Sequence, residues 1–345
     1  VDTIVITAND YILVLLGDPS LPYPYNPEQR FNAHDLEMVA ALRRTLDRLT
    51  GWRFELVDDH RQFSAGLAYR APRLVLNLCN TGFGNHPERQ LHVPALLETL
   101  ELPYAGAGPA CMALCHDKQA VTRIAGDLGV PVAVQAALRL SGDISLPPGI
   151  RYPAFIKPNF GDGSTGVTPD ALVTNAAAAR RHCHRLAERF PGGWVLIEHY
   201  LPGPEYSVGL IGNPGTDLSV LPPLELDFSG LPPGQPPILT EAAKVAPDSA
   251  DWQGVALRPA ELDSERLAVL RGDVSRVFER LGCRDYARMD YRCDGAGTPH
   301  LIDVNPHPMW GFDGMMATMA GYAGHDYAAF IELVIDAASR RLEAR

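Results

Sequence analysis

Two short alternations near the C-terminus constrain this chain more than any other stretch. Ala287-Arg-Met-Asp-Tyr-Arg292 and His300-Leu-Ile-Asp-Val-Asn305 flank Cys293-Asp-Gly-Ala-Gly-Thr-Pro299. Polar and apolar residues alternate in both runs, and the link is rich in turn formers. The pair therefore reads as an antiparallel hairpin. Side chains two apart on a strand share a face, so Asp303 and Asn305 point the same way and Asp290 faces them from the neighbouring strand. Arg288 precedes Asp290 by two and shares its face. Hard oxygens gathered beside an arginine suit Mg²⁺, which takes few protein oxygens and completes its shell with phosphate and water. Polar residues at a strand end would show the same spacing, so the rest of the chain has to decide.

The chain has 345 residues, room for two or three domains. Its formal net charge of -11 argues against nucleic acid and anionic membrane surfaces as partners. It does not argue against ATP, because a local group of lysines binds phosphate even on an acidic protein. None of the six cysteines forms a C-x-x-C pair. Cys111 and Cys115 are four apart on an expected helix, without a second pair or histidine set to complete a zinc site. His182, Cys183 and His184 are adjacent on a helix and point in different directions. With no signal-peptide pattern and no apolar run of membrane length, the expectation is a cytoplasmic protein of a reducing compartment.

Residues 1–108 read as a βαβ unit. Strands are expected at 1–7, 54–57 and 74–78, and the apolar run 12–16 is a strand or the start of a helix. Residues 17–27 carry four prolines and two tyrosines. They form a loop, either a wall over a site or plain surface. A helix is expected over 36–49, stopped by Gly51, and another from Glu88 and Arg89 to Leu100. Between them, Cys79-Asn-Thr-Gly-Phe-Gly-Asn-His86 follows a strand, where open α/β sheets carry ligand loops. Two further units are expected at 109–201 and 202–345.

Lys118 opens a helical register, and Lys157 ends a strand at 152–158. Lys244 lies in a polar stretch. After Lys157 comes Asn159-Phe-Gly-Asp-Gly-Ser-Thr-Gly-Val167, whose backbone N–H groups and hydroxyls can wrap phosphate oxygens. It is not a Walker motif, because the lysine precedes the glycines. A helix is expected over 170–190, strands at 194–201 and 205–211, and a helix over 264–281 capped by Asp263 or Ser264. A last helical region breaks at 320–324. Lysines that neutralise phosphates, glycines that cradle them and acids that hold Mg²⁺ are the parts of phosphoryl transfer. His307 follows the acid cluster, as a site residue or a loop histidine at its rim.

Taken in order, these segments resemble the ATP-grasp superfamily and, within it, the D-alanine–D-alanine ligase family. The resemblance runs from about residue 77 onward. It is carried by Leu102-Pro-Tyr-Ala-Gly-Ala-Gly108 with Asp117-Lys118, by Gly129-Val-Pro131, and by Ile156-Lys-Pro158 with its glycine loop. Glu198, Tyr200-Leu201 and Glu205, Glu241-Ala-Ala-Lys244, and Arg288, Asp290, Asp303 and Asn305 complete it. It implies an α/β fold with an α+β C-terminal part, an ATP-grasp fold behind an N-terminal Rossmann-like domain. It implies a ligase that uses ATP and two Mg²⁺, with Mn²⁺ as a substitute, to phosphorylate a carboxylate that an amine then attacks. Lys118 and Lys157 would bind the α- and β-phosphates and Lys244 the transferring end, with Gly163, Ser164 and Thr165 over the phosphates. Glu198, Tyr200 and Leu201 would read adenine and Glu205 the ribose. Asp290, Asp303 and Asn305 would hold metal. Arg288, Lys244 and Ser164 would be catalytic. The family is usually a homodimer.

The departures from the family lie in its amino-acid pockets. Its N-terminal Gly-Gly segment and ammonium-binding glutamate have no equivalent in Gly17-Asp-Pro-Ser-Leu-Pro-Tyr. Its first loop serine is Gly163. Where it has a serine for the second D-alanine's carboxylate, this chain has Pro308-Met-Trp-Gly-Phe-Asp313. Asn80, His86, His307, Trp310 and Asp313 are thus expected to shape different substrate pockets, and Asp313 or Asp18 to attract a cationic acceptor. The expected activity is amide or dipeptide-like ligation of small carboxylates and amines. A true D-alanine–D-alanine ligase, an ATP-grasp kinase and an inactive ATP-binding protein stand as alternatives.

Overall fold

A computed structural model describes residues 11–26 and 28–344. The strand expected at 1–7 lies outside them. Four strands, β1 (Ile12–Leu15), β2 (Phe54–Val57), β3 (Leu74–Asn77) and β4 (Tyr104–Ala105), form a parallel sheet in the order β2-β1-β3-β4. The run at 12–16 is thus a strand, not a helix. Every residue of β1 is buried, which suits a continuous apolar run in a sheet covered on both faces. Helices α1 (Ala33–Leu46), α2 (His60–Ala65) and α3 (His92–Thr99) accompany this sheet. Helix α1 starts earlier than its apolar period suggests, because Asn32 and Asp35 form a capping box, typically worth about 1 kcal/mol. Helix α3 starts later than Glu88, because Pro87–Arg89 is a separate 3₁₀ turn.

Helices α4 (Pro109–His116) and α5 (Lys118–Asp127) follow, with Asp117 capping α5 through Ala120 N–H. An antiparallel sheet comes next, β5 (Gln135–Arg139), β6 (Ala154–Pro158), β7 (Leu172–Val173) and β8 (Trp194–His199), ordered β5-β8-β6-β7. The helix expected over 170–190 is α6 (Ala176–Arg189). Its first turn is displaced because Leu172–Val173 pairs with β6 and Asn175 provides the cap.

The third sheet is antiparallel, built from β9 (Glu205–Gly212), β10 (Ser219–Val220), β11 (Leu224–Asp227), β12 (Ala256–Pro259), β13 (Asp285–Cys293) and β14 (Pro299–Asn305). Its order is β12-β11-β9-β13-β14, with β10 beside β9. Short helices α7 (Ala242–Val245) and α8 (Ala250–Gln253) precede β12. Helix α9 (Ser264–Leu281), capped by Asp263 and ended by left-handed Gly282, leads into β13. Helices α10 (Met315–Tyr322) and α11 (Tyr327–Glu343) close the chain.

Burial shows which parts share a core. Ile12, Val14 and Leu76 of the first sheet share one core with Leu224 and Tyr286 of the third and with Phe330, Val334 and Ile335 of α11. The middle sheet has its own core, Ile156, Val195 and Ile197 against Cys183 and Leu186 of α6.

Candidate active site

The chain has only three lysines among its 30 basic residues. All three, Lys118, Lys157 and Lys244, line one cavity between the two antiparallel sheets. They come from α5, β6 and α7, far apart in sequence. One end of the cavity is apolar, with Phe155, Leu201 and Ile238. The other carries the lysines, Asp162, Asp290 and Asp303. A cleft with one apolar and one charged end fits a nucleotide.

The β13–β14 hairpin supplies the charged floor. Its register pairs Asp290 with Asp303 and Arg288 with Asn305. A bulge between Asp290 and Tyr291 breaks the register. Ile302 is the extra residue, and its carbonyl accepts a hydrogen bond from Lys157 Nζ at 3.1 Å. The bulge thus aims a backbone oxygen into the site. Arg288 donates Nε and Nη2 to the two carboxylate oxygens of Asp290, at 2.9 and 3.0 Å. Ser207 Oγ (2.6 Å) and Asn305 Nδ2 (3.1 Å) also donate to Asp290. Burial alone would raise the Asp290 pKa. The Arg288 charge and hydrogen bonds, with Lys244 and Ser207, outweigh it and hold the carboxyl below its ordinary value.

Lys118 Nζ reaches the Gly161 carbonyl at 2.5 Å and Asp303 Oδ1 at 3.5 Å. Lys157 Nζ lies 3.0 Å from Glu198 Oε2, both side chains being buried. Glu198, expected at adenine, is therefore also the counter-charge of Lys157.

The glycine loop is tied down from two sides. Tyr25, in the proline-rich segment, donates its OH to the Asp162 carbonyl (3.2 Å) and accepts from Thr165 Oγ1 (2.6 Å). The segment is thus a wall against the loop. Glu241 accepts from Gly166 N–H at 3.1 Å and pairs with Arg189. Gly163 has φ +67°, and a Cβ there would lie 3.0 Å from Tyr25 Cε1. A serine at this position would therefore be both strained and crowded. Ser164 lines the cavity with φ +56°.

Two site residues escaped the sequence reading. Arg292 continues the alternation Arg288, Asp290, Arg292 and is buried at the cavity. It donates to Glu205 Oε2 (2.7 Å), the Leu201 carbonyl (2.6 Å) and Tyr200 OH (2.8 Å). Glu205 stays raised because burial outweighs the Arg292 charge. Asp162 is an acid in the middle of the glycine loop. Burial would raise its pKa, but Lys244, Lys118 and Arg288 hold it low. A lone acid flanked by glycines, and the scarcity of lysine, were the available signals.

A smaller recess adjoins the charged end, lined by His116, Lys118, Asp162, Asp303, Asn305 and His307. His307 Nε2 donates to the Asn77 carbonyl at 3.0 Å, and Asn80 Nδ2 donates to the His307 carbonyl at 2.8 Å. This leaves two buried acceptors, His307 Nδ1 and Asn80 Oδ1, without a partner among the described residues. Burial pushes His307 down to about 4, so its imidazole is neutral at pH 7.

The other expected substrate residues lie elsewhere. His86 faces outward to Glu88 at 3.2 Å. Trp310 is core, its Nε1 donating to the Leu78 carbonyl at 2.7 Å. Asp313 pairs with His34 on α1 at 3.3 Å. None of the three lines either cavity. Asp18 is buried and accepts from Ser20 N–H, Ser20 Oγ and His60 N–H, so it offers no free charge to an acceptor. The expectation that Trp310 and Asp313 make a bulkier, acidic pocket is thus corrected. The intervening Gly311, whose Cβ would lie 2.5 Å from Met38 Sδ, packs this segment against α1 instead.

Residues 145–336 match the family model for the D-ala D-ala ligase C-terminus. An uncharacterized protein of Sinorhizobium fredii, y4sG, is 31% identical over 79% of this chain and 76% of its own length. A D-alanine–D-alanine ligase of Nitratidesulfovibrio vulgaris is 28% identical over 71% of this chain and 74% of its own. In fold, the crystal structure of a D-alanine–D-alanine ligase from Bacillus anthracis complexed with ATP superposes with TM-score 0.72, covering 97% of this chain and 99% of that one at 18% identity. The VanG D-Ala:D-Ser ligase of Enterococcus faecalis superposes with TM-score 0.68 at 16% identity, covering 96% of this chain and 99% of that one. The architecture is therefore the ATP-grasp fold, and the chain belongs to the D-alanine–D-alanine ligase family of ATP-dependent carbon–nitrogen ligases.

Proposed function

We propose that this chain joins a small carboxylate to a small amine with ATP, through an acyl phosphate, and releases ADP and phosphate. The convergence of all three lysines on one amphipathic cavity, beside Arg288 and the acids of β13 and β14, carries this reading. Lys118 and Lys157 neutralise the inner phosphates and Lys244 the transferring one. Glu205 meets the ribose, and Leu201 and Tyr200 border the base. The hard-oxygen set of Asp290, Asp303 and Asn305 fits Mg²⁺, which supplies charge neutralisation on the phosphates when bound. Arg288, held on Asp290, stabilises negative charge growing on the transferring phosphoryl and at the tetrahedral centre in this reading.

The amine enters the recess. His307 Nδ1, on a residue that lines this recess, is a neutral acceptor without a partner among the described residues, suited to an N–H group of an amine. Asp18 is engaged inside the fold, and Gly163 replaces the loop serine that the resemblance led us to expect. The product is accordingly an amide or dipeptide-like compound other than D-alanyl-D-alanine. The second reading, D-alanine–D-alanine ligation, is favoured by the names of the similar ligases.

ADP and phosphate release with Mg-ATP, measured against a panel of amino acids and amines with mass spectrometry of each product, decides. A coupled amide from another pair supports the reading. D-alanyl-D-alanine as the efficient product moves it to the second reading, and a phosphorylated substrate without coupling makes the chain a kinase. We further propose a cytoplasmic homodimer with three domains, 1–108, 109–201 and 202–345, testable by light scattering and limited proteolysis. No described helix is long and apolar enough to cross a membrane.

A further inference from the structure

The fold gathers three cysteines that the sequence leaves apart. Cys111 and Cys115 lie one turn apart on α4 and face the same way. Cys283 follows the left-handed Gly282 that ends α9, and its N–H donates to the Phe278 carbonyl at 3.0 Å. That turn swings its thiol onto α4. Cys111 Sγ lies 3.9 Å from Cys115 Sγ and 3.7 Å from Cys283 Sγ. All three residues are buried, and among the described residues this is the one group of three or more His, Cys, Asp or Glu side chains gathered closely enough to hold a metal ion.

Sulfurs sharing one tetrahedral zinc at Zn–S of about 2.3 Å stand roughly 3.8 Å apart. The measured separations from Cys111 therefore need little change to accept a cation. We propose that Cys111, Cys115 and Cys283 form a buried three-thiolate site for a thiophilic cation, Zn(II) or Cu(I), separate from the oxygen ligands of the nucleotide cavity. Thiolate sets select these soft ions over Mg²⁺. Charge also fits: three thiolates with Zn(II) leave one negative charge, and the Arg284 guanidinium lies close enough to act on Cys111. Each thiol loses its proton to solvent as the cation binds.

The location gives the site a structural consequence. Cys115 also lines the recess that holds Lys118, Asp303 and His307. His116 and the cap residue Asp117 are all that separate it from Lys118. A cation on the cluster pins the end of α4 and with it the start of α5, from which Lys118 reaches the glycine loop.

The test uses the full chain, reduced, stripped with chelator and then exposed separately to Zn(II), to Cu(I) without oxygen, and to Co(II) as a spectroscopic probe. After desalting, one equivalent of Zn(II) or Cu(I) per chain is expected, with a thiolate-to-metal charge-transfer band for Co(II) and a raised melting temperature. Cys283→Ser and Cys111→Ala should each lose the retained metal and the band, while Cys293→Ser keeps both. Absence of retained metal and of a charge-transfer band in the folded wild-type chain overturns the proposal without recourse to any variant. So does equal retention by Cys283→Ser. Retention of Zn(II) alone or Cu(I) alone identifies the cation.

Discussion

Arg288 grips Asp290 with a two-pronged contact from two residues away on the same strand, Nε to Oδ1 at 2.9 Å and Nη2 to Oδ2 at 3.0 Å. The fork fixes the guanidinium before any substrate arrives. Lysine keeps the charge but not the fork. Arg288→Lys should lower kcat by about 10²–10³-fold, as loss of a preorganised donor does, with KM for ATP little changed. Steady-state ADP release checks this. An unchanged kcat would remove Arg288 from the chemistry.

The scarcity of lysine makes a chemical experiment unusually specific. Apart from the α-amino group, the amines are the three lysine side chains, and all three lie in the one cavity proposed for the nucleotide. Amine-directed acylation should abolish ADP release, and saturating Mg-ATP should protect it. Peptide mass mapping would show Lys118, Lys157 and Lys244 shielded together. Loss of activity without shielding by nucleotide would place ATP elsewhere.

Gly163 and Tyr25 form a matched pair. A side chain at 163 meets Tyr25 Cε1 at 3.0 Å on a backbone with φ +67°. Gly163→Ser should raise KM for ATP and cost about 1–2 kcal/mol from the left-handed backbone alone. Adding Tyr25→Ala should restore part of the KM but none of the backbone cost. Thermal melts and ATP titrations separate the two contributions. Tyr25→Phe should leave stability near wild type and make residues 161–166 more susceptible to proteolysis.

Arg292 balances a buried acid. Removing it leaves Glu205 uncompensated, a change that usually costs about 3–5 kcal/mol. Arg292→Met should therefore lower the melting temperature sharply, and Arg292→Met with Glu205→Gln should recover much of it. If the single variant melts like wild type, the Arg292–Glu205 pair is not a stabilising contact.

His307 gives a pH dependence with a definite sign. Burial moves its pKa from the ordinary 6.5 to about 4. Between those values the unfolded chain binds the proton and the folded chain does not. Stability should fall as pH drops from about 6.5 towards 4, by on the order of 3 kcal/mol over the whole window. Melting curves of wild type and His307→Gln across this range should diverge in slope, the variant being flatter. Parallel curves would mean that His307 titrates normally.

The hairpin, the three lysines and the glycine loop were legible because each rests on local spacing. Asp290, Asp303 and Asn305 needed only the two-residue period of a strand. The bulge at Ile302 was not legible, because an extra residue leaves no mark on alternation. Nor were the destinations of Trp310 and Asp313, which depend on the Leu78 carbonyl and on His34, 232 and 279 residues away respectively. A polar residue beside a site motif reads as a site residue until its long-range partner is known. The helix expected over 170–190 formed, but its start was displaced for a related reason: the pairing of Leu172–Val173 with β6 is a tertiary event that overrides local preference.

The shared core of the first and third sheets has a mechanical consequence. His307 and Trp310 bolt the exit of β14 to the carbonyls of Asn77 and Leu78, and α11 spans both sheets. Those two sheets therefore behave as a single jaw. The middle sheet, with its independent core, is the other jaw, and Tyr25–Thr165 and Glu241–Gly166 are the clasps between them. Nucleotide entry is then expected to need release of the clasps and displacement of the middle sheet, which would carry Lys157 away from the Ile302 carbonyl. Amide exchange should accordingly be fastest at 161–166 in the free protein and slow there first when ATP is added.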